Sequence, residues 1–243
     1  MNQVWLEIIE NTQLTETVWR MRLRGDTSAV TAPGQFVNIL IDGLFLRRPI
    51  SVCDCEGDVL TIVYKVVGKG TEKMSKMTEG KLDVLTGLGN GYDLAEAGEH
   101  PLLLGGGVGV PPLYMLAKQL IAAGKTVSVV LGFNTKEEIF YEEEFKALGA
   151  DVTVATADGS YGVKGFVTDA LPTDYTYFYT CGPEPMLKAV FAASATEGQF
   201  SFEERMGCGF GACMGCSCKT VTGYKRICKE GPVLRKEEIL WER

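Results

Sequence analysis

PLLLGGGVGVPPL, residues 101–113, is the stretch on which the architecture turns. A short apolar run ends in glycines, and two prolines lead into a helix-forming segment. That order describes a buried parallel strand, a tight turn and a helix whose first turn tolerates proline. The helix is expected over 112–123, with Pro112 in its first turn and Gly124 just past its end. The alternation then continues: VSVVLG (127–132), helix 137–148, DVTVAT (151–156), YTYFYTC (175–181), helix 183–195 and FSFEE (200–204). Five near-continuous apolar strands between helices predict a five-stranded parallel sheet in an α/β domain, covered on both faces. The first turn suits a pyrophosphate, because a helix start offers free N–H groups and a positive dipole end. It is not a clean dinucleotide fingerprint. Counted from Gly105, G-x-G-x-x-G needs glycine at 110, where Val110 stands, and the second strand runs into Gly132, Phe133 and Asn134 without an acid. Gly105, Gly106, Gly107 and Gly109 are candidate nucleotide contacts, with a purely structural glycine turn as the alternative.

Upstream the pattern is different. VWRMRL (18–23), QFVNILI (35–41), PISVCD (49–54) and VLTIVYKVV (59–67) are rich in β-branched and aromatic residues and separated by turn formers. They predict a small antiparallel barrel. One helix is expected over 70–77, with Thr71 as its N-cap. AEAGEH (95–100) reads as a polar hinge. The expected units are 1–94, 95–204 and a cysteine-rich tail, 205–243.

The tail reads RMGCGFGACMGCSCKTVTGYKRICKEGP over 205–232 and holds five of the chain's eight cysteines within 21 residues. Cys208, Cys213 and Cys216 fit C-x4-C-x2-C, and Cys228 follows, which is the plant-type spacing for a 2Fe-2S cluster. These four are the expected ligands and Cys218 the spare, although Cys216-x-Cys218 leaves some ambiguity. Gly207, Gly209, Gly211 and Gly215 relieve crowding where the backbone must wrap a small inorganic core. Zinc is the alternative, but it usually takes two separated C-x2-C pairs and only one is present. A tail of this length is too short to build its own core without a metal or a neighbour.

Two more segments carry chemistry. YTCGPEPML (179–187) again joins an apolar strand to a helix and sets Cys181, Gly182 and Pro183 at the carboxyl edge of the sheet, where open α/β sheets bind ligands. A thiol there can lie against a nicotinamide ring, or be a buried structural cysteine. LRRPISV (46–52) places Arg48 and Ser51 around Pro49 and Ile50: an arginine for a diphosphate, a hydroxyl for a flavin ring nitrogen, or else a surface arginine and an edge-strand serine. Cys53 and Cys55 sit two apart on a strand, which puts both thiols on one face and favours packing over redox work.

With 46% hydrophobic and 23% charged residues, the composition is that of a soluble globular protein. The 24 basic and 31 acidic side chains give a net charge of −7, which argues against nucleic acid or an anionic membrane as partner. MNQVWLEIIE lacks a basic n-region, and the longest uncharged stretch, 101–117, holds seven glycines or prolines in 17 residues. Neither a signal peptide nor a membrane span is expected, so clustered cysteines point to metal chemistry in a reducing cytoplasm. The single histidine, His100, lies in the hinge and excludes histidine-rich sites. Glu137, Glu138 and Glu142–Glu144 read as a solvated helix face that would repel the extra phosphate of NADP, favouring NAD, although Lys136 weakens that inference.

Together these segments resemble the ferredoxin-reductase superfamily, which pairs an N-terminal flavin barrel with a C-terminal nicotinamide-nucleotide domain. RPIS (48–51) resembles its Arg-x-x-Ser flavin motif, with Ile50 replacing the usual aromatic. Val63, Tyr64 and Lys65 match a flavin-contact segment, and GKGT (68–71), with Gly70 and Thr71, a phosphate segment. GLGNGYDL (87–94) resembles the glycine-rich stretch between domains, and GGGVGVPP (105–112) and CGPEPM (181–186) the nucleotide motifs. The likeness is closer to one branch, the electron-transfer subunits of class 1B dihydroorotate dehydrogenases, whose cysteine module opens like EERMGCGFGACMGC (203–216). The resemblance implies FAD, a 2Fe-2S cluster and NAD as cofactors. It implies an FMN-containing catalytic subunit as partner, two of each in a heterotetramer, and a place in pyrimidine biosynthesis. Electrons would pass from dihydroorotate through FMN, cluster and FAD to NAD+, with Ser51 and Cys181 as the candidate catalytic residues, beside flavin and nicotinamide. An NADH-dependent reductase subunit serving another enzyme is the alternative.

Overall fold

Residues 1–241 are described by the computed structural model. Six strands come first: β1 (Asn2–Gln13), β2 (Val18–Arg24), β3 (Phe36–Ile39), β4 (Arg48–Glu56), β5 (Val59–Lys65) and β6 (Lys81–Leu88). They close an antiparallel barrel in the order β1-β2-β5-β4-β3-β6. Period-two burial builds it: Leu60, Ile62 and Tyr64 of β5 join Val37 and Ile39 of β3 in the interior. Two strands of the closure were not expected from sequence. β1 carries Glu7 and Glu10 among its apolar residues, and β6 buries a charged residue, Asp83, between Leu82 and Val84. Asp83 is satisfied by Arg47 at 2.9 Å and by the Gln3 amide at 2.8 Å.

Between β5 and β6 lies α1 (Lys69–Ser75), whose N-cap is Gly68, not Thr71. Thr71 sits inside the first turn, where its hydroxyl accepts the Val67 N–H at 3.0 Å and donates to the Gly68 carbonyl at 3.2 Å.

Beyond the barrel come β7 (Pro101–Gly106), α2 (Pro112–Ala122), β8 (Ser128–Phe133), α3 (Glu142–Ala147), β9 (Asp151–Thr156), β10 (Val163–Lys164), β11 (Tyr177–Cys181), α4 (Glu184–Ala193) and β12 (Gly198–Ser201). The tail adds a hairpin, β13 (Ser217–Thr220) and β14 (Gly223–Arg226), and then β15 (Val233–Arg235). The sheet runs β10-β9-β8-β7-β11-β12-β15, parallel except at β12/β15. It exceeds the expected five strands because β10 spans only two residues and β15 is contributed by the tail. The helix expected over 137–148 is cut short: Tyr141 takes a left-handed φ of 67°, and only Glu142–Ala147 is α-helical. β8 and β11 flank the first strand, β7, on opposite sides, so the order reverses there.

Three apolar clusters hold the parts together. One fills the barrel. A second lies between barrel and sheet and joins Cys53 and Val63 to Leu113, Leu116 and Tyr179. The third packs the other sheet face against the tail and the barrel's Phe36 and Leu88, and it contains Cys216 and Cys228. A register shift between Val52 and Asp54 bulges β4, so Cys53 enters the second cluster while Cys55 packs against the first, not on one shared face. No described helix is long and apolar enough to cross a membrane.

The tail is tied down by Asn90. Its side-chain amide donates to the Val233 carbonyl at 2.8 Å and accepts the Val233 N–H at 3.1 Å, while its own N–H reaches the Gly231 carbonyl at 2.8 Å. Asn90→Ala strands two backbone groups and should cost about 1–3 kcal/mol, read as a lower denaturant midpoint at unchanged slope.

Candidate functional site

The barrel contributes one face. Ile50 and Val52 turn into its interior, so Pro49 and Ser51 turn outward. Across the strand pair, Ser51 stands opposite Phe36 and Pro49 opposite Asn38. Arg48, at the start of β4, lies against Gly70: a Cβ there would collide with the guanidinium. The RPIS segment and the Gly68–Thr71 turn are therefore adjacent. The Arg48 guanidinium also donates to the Leu46 carbonyl. Tyr64 departs from its expected role as a flavin contact. Its ring is only 2% exposed, and its hydroxyl, pushed up to about 12 by burial, bonds Asn11 at 3.0 Å. Val63 is buried toward the sheet and Lys65 is exposed, so this segment can offer a ligand its backbone and Lys65, not the Tyr64 ring.

The sheet contributes the second face. Register places Cys181 beside Gly105 on one side and Ser201 on the other. A Cβ on Gly109 would run into the Cys181 carbonyl, and one on Gly182 would come within 2.7 Å of the Met186 methyl. The two glycine turns thus abut at the carboxyl ends of β7 and β11, the switch point where open α/β sheets take ligands. The start of α2 is not the amide donor it promised to be. Pro111 and Pro112 have no N–H, and the N–H groups of Leu113 and Tyr114 are held by the Val110 and Pro111 carbonyls at 3.1 and 3.0 Å. The accessible part of the turn is Gly107–Val108, while Gly182 and Pro183 remain open before α4. Glu138 lies beyond the end of β8 and accepts the Asn134 side-chain amide at 2.9 Å.

The tail contributes the third element. The Ala212 and Cys213 N–H groups point at Cys208 Sγ from 3.2 and 3.5 Å, and the Cys228 N–H points at Cys216 Sγ from 3.4 Å. Burial alone would raise the Cys208 thiol, but backbone N–H groups of Cys213, Phe210 and Ala212 hold it down to about 6. Burial, then the adjacent Cys216 thiol, pushes Cys228 up to about 12. A Cβ on Gly207 or Gly215 would stand 3.2 or 3.5 Å from Cys213 Sγ, so both glycines keep space around that sulfur. No three described His, Cys, Asp or Glu side chains converge closely enough for a single ion. The thiols form two pairs, Cys208 with Cys213 and Cys216 with Cys228, and two thiolates to each iron is what a two-iron core requires. Cys218 lies on β13 opposite Lys225, outside both pairs.

Two braces on this loop were not read from sequence. Arg226 donates to the Gly211 carbonyl at 2.8 Å while Glu230 holds its guanidinium. Asn38 of β3, 1% exposed, donates its amide to the Cys208 carbonyl at 3.2 Å. Its Oδ1 has no partner among the described residues, an omission that costs about 1–3 kcal/mol in a buried position. An asparagine in an apolar strand gives no sequence signal of a contact 170 positions away.

Residues 203–240 match the family described as iron-sulfur cluster binding domain of dihydroorotate dehydrogenase B, and residues 103–191 match the oxidoreductase NAD-binding domain. The electron transfer subunit of dihydroorotate dehydrogenase B (NAD(+)) from Bacillus pumilus is 42% identical, over 98% of each chain. Its counterpart from Fusobacterium nucleatum is 43% identical, over 95% of each. Among solved structures, a chain of an NADH-dependent reduced ferredoxin-NADP oxidoreductase studied for flavin-based electron bifurcation superposes with a TM-score of 0.88. It is 32% identical and is matched over 99% of this chain and 91% of that one. A ferredoxin NADP+ reductase from Neisseria gonorrhoeae, with bound FAD and NADP, shares the fold at a TM-score of 0.69 and 20% identity, over 79% of this chain and 90% of that one.

Cys181 generates a pH prediction. Burial pushes its thiol from 9.0 up to about 12, against the Ser201 hydroxyl, which lowers it. A raised folded value means that the neutral thiol's stability contribution is complete below about 9 and lost as pH climbs toward about 12. NADH-driven flavin reduction should therefore show no thiol ionisation between about pH 6 and 9. Iodoacetamide should label Cys181 slowly at neutral pH; a step in that window that Cys181→Ala abolishes would contradict the assignment.

Proposed function

The chain belongs to the family of dihydroorotate dehydrogenase B (NAD+) electron-transfer subunits, and we propose that it relays electrons from an FMN-containing catalytic subunit through a 2Fe-2S cluster and FAD to NAD+. The observation that carries this reading is the pairing of the four tail thiols, Cys208 with Cys213 at the surface and Cys216 with Cys228 in a core shared with both the barrel and the nucleotide sheet. Cys208 and Cys213 would hold one iron, and Cys216 and Cys228 the other. When bound, FAD exchanges electron pairs with the nicotinamide and single electrons with the cluster, which is why it belongs between them.

The chain's own residues bind and orient. Arg48, beside the Gly70 and Thr71 turn, takes the diphosphate. Ser51, on the outer barrel face, donates to the flavin ring, with Pro49 and the backbone of Ile50 and of 63–65 beside it. Gly107, Gly182 and Pro183 offer the nucleotide accessible backbone, Gly105, Gly106 and Gly109 let the two turns pack closely behind it, and Cys181 sets the nicotinamide plane as a neutral thiol. The units 1–94, 95–204 and 205–243 bind FAD, NAD and the cluster in turn, although β15 of the third completes the sheet of the second. The working assembly is a cytoplasmic heterotetramer of two of each subunit, in pyrimidine biosynthesis. A second reading keeps this chemistry and changes the partner. It is favoured by the 32% identity, over almost the whole chain, to a subunit of an NADH-dependent bifurcating reductase.

Anaerobically purified protein should contain one FAD and about two irons per chain and reduce a dye with NADH. Cys218→Ser should keep its iron, while Cys208→Ser and Cys228→Ser should lose it. Zinc in place of iron would overturn the cluster. Copurification with an oxygenase or other enzyme, rather than a dihydroorotate-oxidising FMN protein, would decide for the second reading.

A further inference from the structure

We propose that Asn38 is the positioning residue for electron passage between flavin and cluster, and that Cys208 is the cluster ligand on the flavin side; this rests on the functional reading above. Val37 and Ile39 point into the barrel, so Phe36 and Asn38 point out. On the neighbouring strand Pro49 and Ser51 point out opposite them. Asn38 is therefore the diagonal neighbour of Ser51 on one surface, about 7–8 Å away by strand geometry. From that position its amide donates 3.2 Å to the Cys208 carbonyl. One strand crossing and one hydrogen bond thus lead from the residue that meets the flavin to a residue that holds iron.

Three features show that the contact is built. Pro49, opposite Asn38, has no N–H to give, and the Asn38 backbone carbonyl is instead taken by the Arg47 guanidinium at 3.3 Å. Arg47 is fixed in turn on Asp83 at 2.9 Å, so the strand position under Asn38 is braced. On the loop side Gly209 has a φ of +80°, and a Cβ there would collide with the Asn38 amide, so the loop approaches as closely as only glycine permits. Finally, the Asn38 Oδ1 is buried without a partner among the described residues. A residue selected for shape alone would be apolar; this one keeps its amide for the donor side. The step served would be single-electron transfer from reduced cluster to FAD, run in reverse when NADH reduces the flavin in the test below, with no bond made or broken and no proton crossing the contact.

The test uses the full chain with FAD and cluster in place. Asn38→Ala, the isosteric Asn38→Asp and Gly209→Ala are compared with the unmodified protein by FAD and iron content, by anaerobic stopped-flow reduction with NADH, and by electron paramagnetic resonance of the reduced cluster. Flavin reduction should stay within about twofold in all three variants, because nothing at the nicotinamide has changed. Cluster reduction should slow at least about tenfold, with an altered resonance line shape reporting the displaced Cys208. Asn38→Ala and Asn38→Asp with full cofactor content, unchanged cluster reduction and an unchanged resonance would overturn the proposal. So would loss of FAD together with iron in Asn38→Asp, since that gives Asn38 a role in the fold. An unmodified chain that takes up no flavin or no iron fails at an earlier stage and strikes the functional reading itself.

Discussion

The tail cannot fold on its own surface area, and the rest of the structure depends on how that shortage is met. Its apolar residues are few, and two of its cysteines, Cys216 and Cys228, are each 2% exposed. They are enclosed because Phe200, Phe178 and Leu102 of the sheet, with Phe36 and Leu88 of the barrel, supply the other walls. The tail then adds β15 antiparallel to β12, covering an edge that would otherwise present unpaired backbone groups. A metal site placed in a shared core is fixed relative to every element that lines it. In this chain those elements are β3 and β6 of the barrel and the sheet that carries the glycine turns.

That arrangement explains the order of the chemistry along the molecule. Cys181 and Gly105 meet at the switch point, and the barrel reaches them through Tyr92 and Asp93. The Tyr92 hydroxyl donates to the Thr180 carbonyl at 3.2 Å and Tyr179 donates to the Asp93 carbonyl at 2.9 Å. On the far side of α2, Lys118 pairs with Asp54 of the bulged strand at 3.0 Å. Barrel and sheet are thus clamped at both ends of a packed contact.

How much of this was legible in the chain depended on whether a residue's role was local. The glycine turn at 105–109, the RPIS tetrapeptide and the cysteine spacing are short patterns whose geometry is carried by neighbours in sequence; the structure sets the first against Cys181 and the second against the Gly70 turn. β1 and β6 escaped notice because closure buries Asp83 and leaves β1 charged on one side, so neither reads as a clean alternation. The start of α2 misled in the opposite way. Pro111 and Pro112 announce a helix N-terminus correctly, yet the same rings remove the N–H groups that would make it an anion site. The sequence therefore predicted the element and not its chemistry. Tyr64 fails similarly: its motif is present, but strand parity turns its ring inward onto Asn11.

Asn38 marks the limit of sequence reading most clearly. Its significance comes from three non-local facts: the strand parity that faces it outward, the proline opposite that leaves its carbonyl to Arg47, and the glycine at 209 that lets the loop descend onto it. None is visible without the register. An electron relay is sensitive to this kind of feature, because transfer between two held cofactors needs no side chain to react. It needs the walls between them to keep a separation. Where the groups around two held cofactors do not react, selection acts chiefly on placement. The buried polar contacts that set placement are then the positions where small changes should matter most.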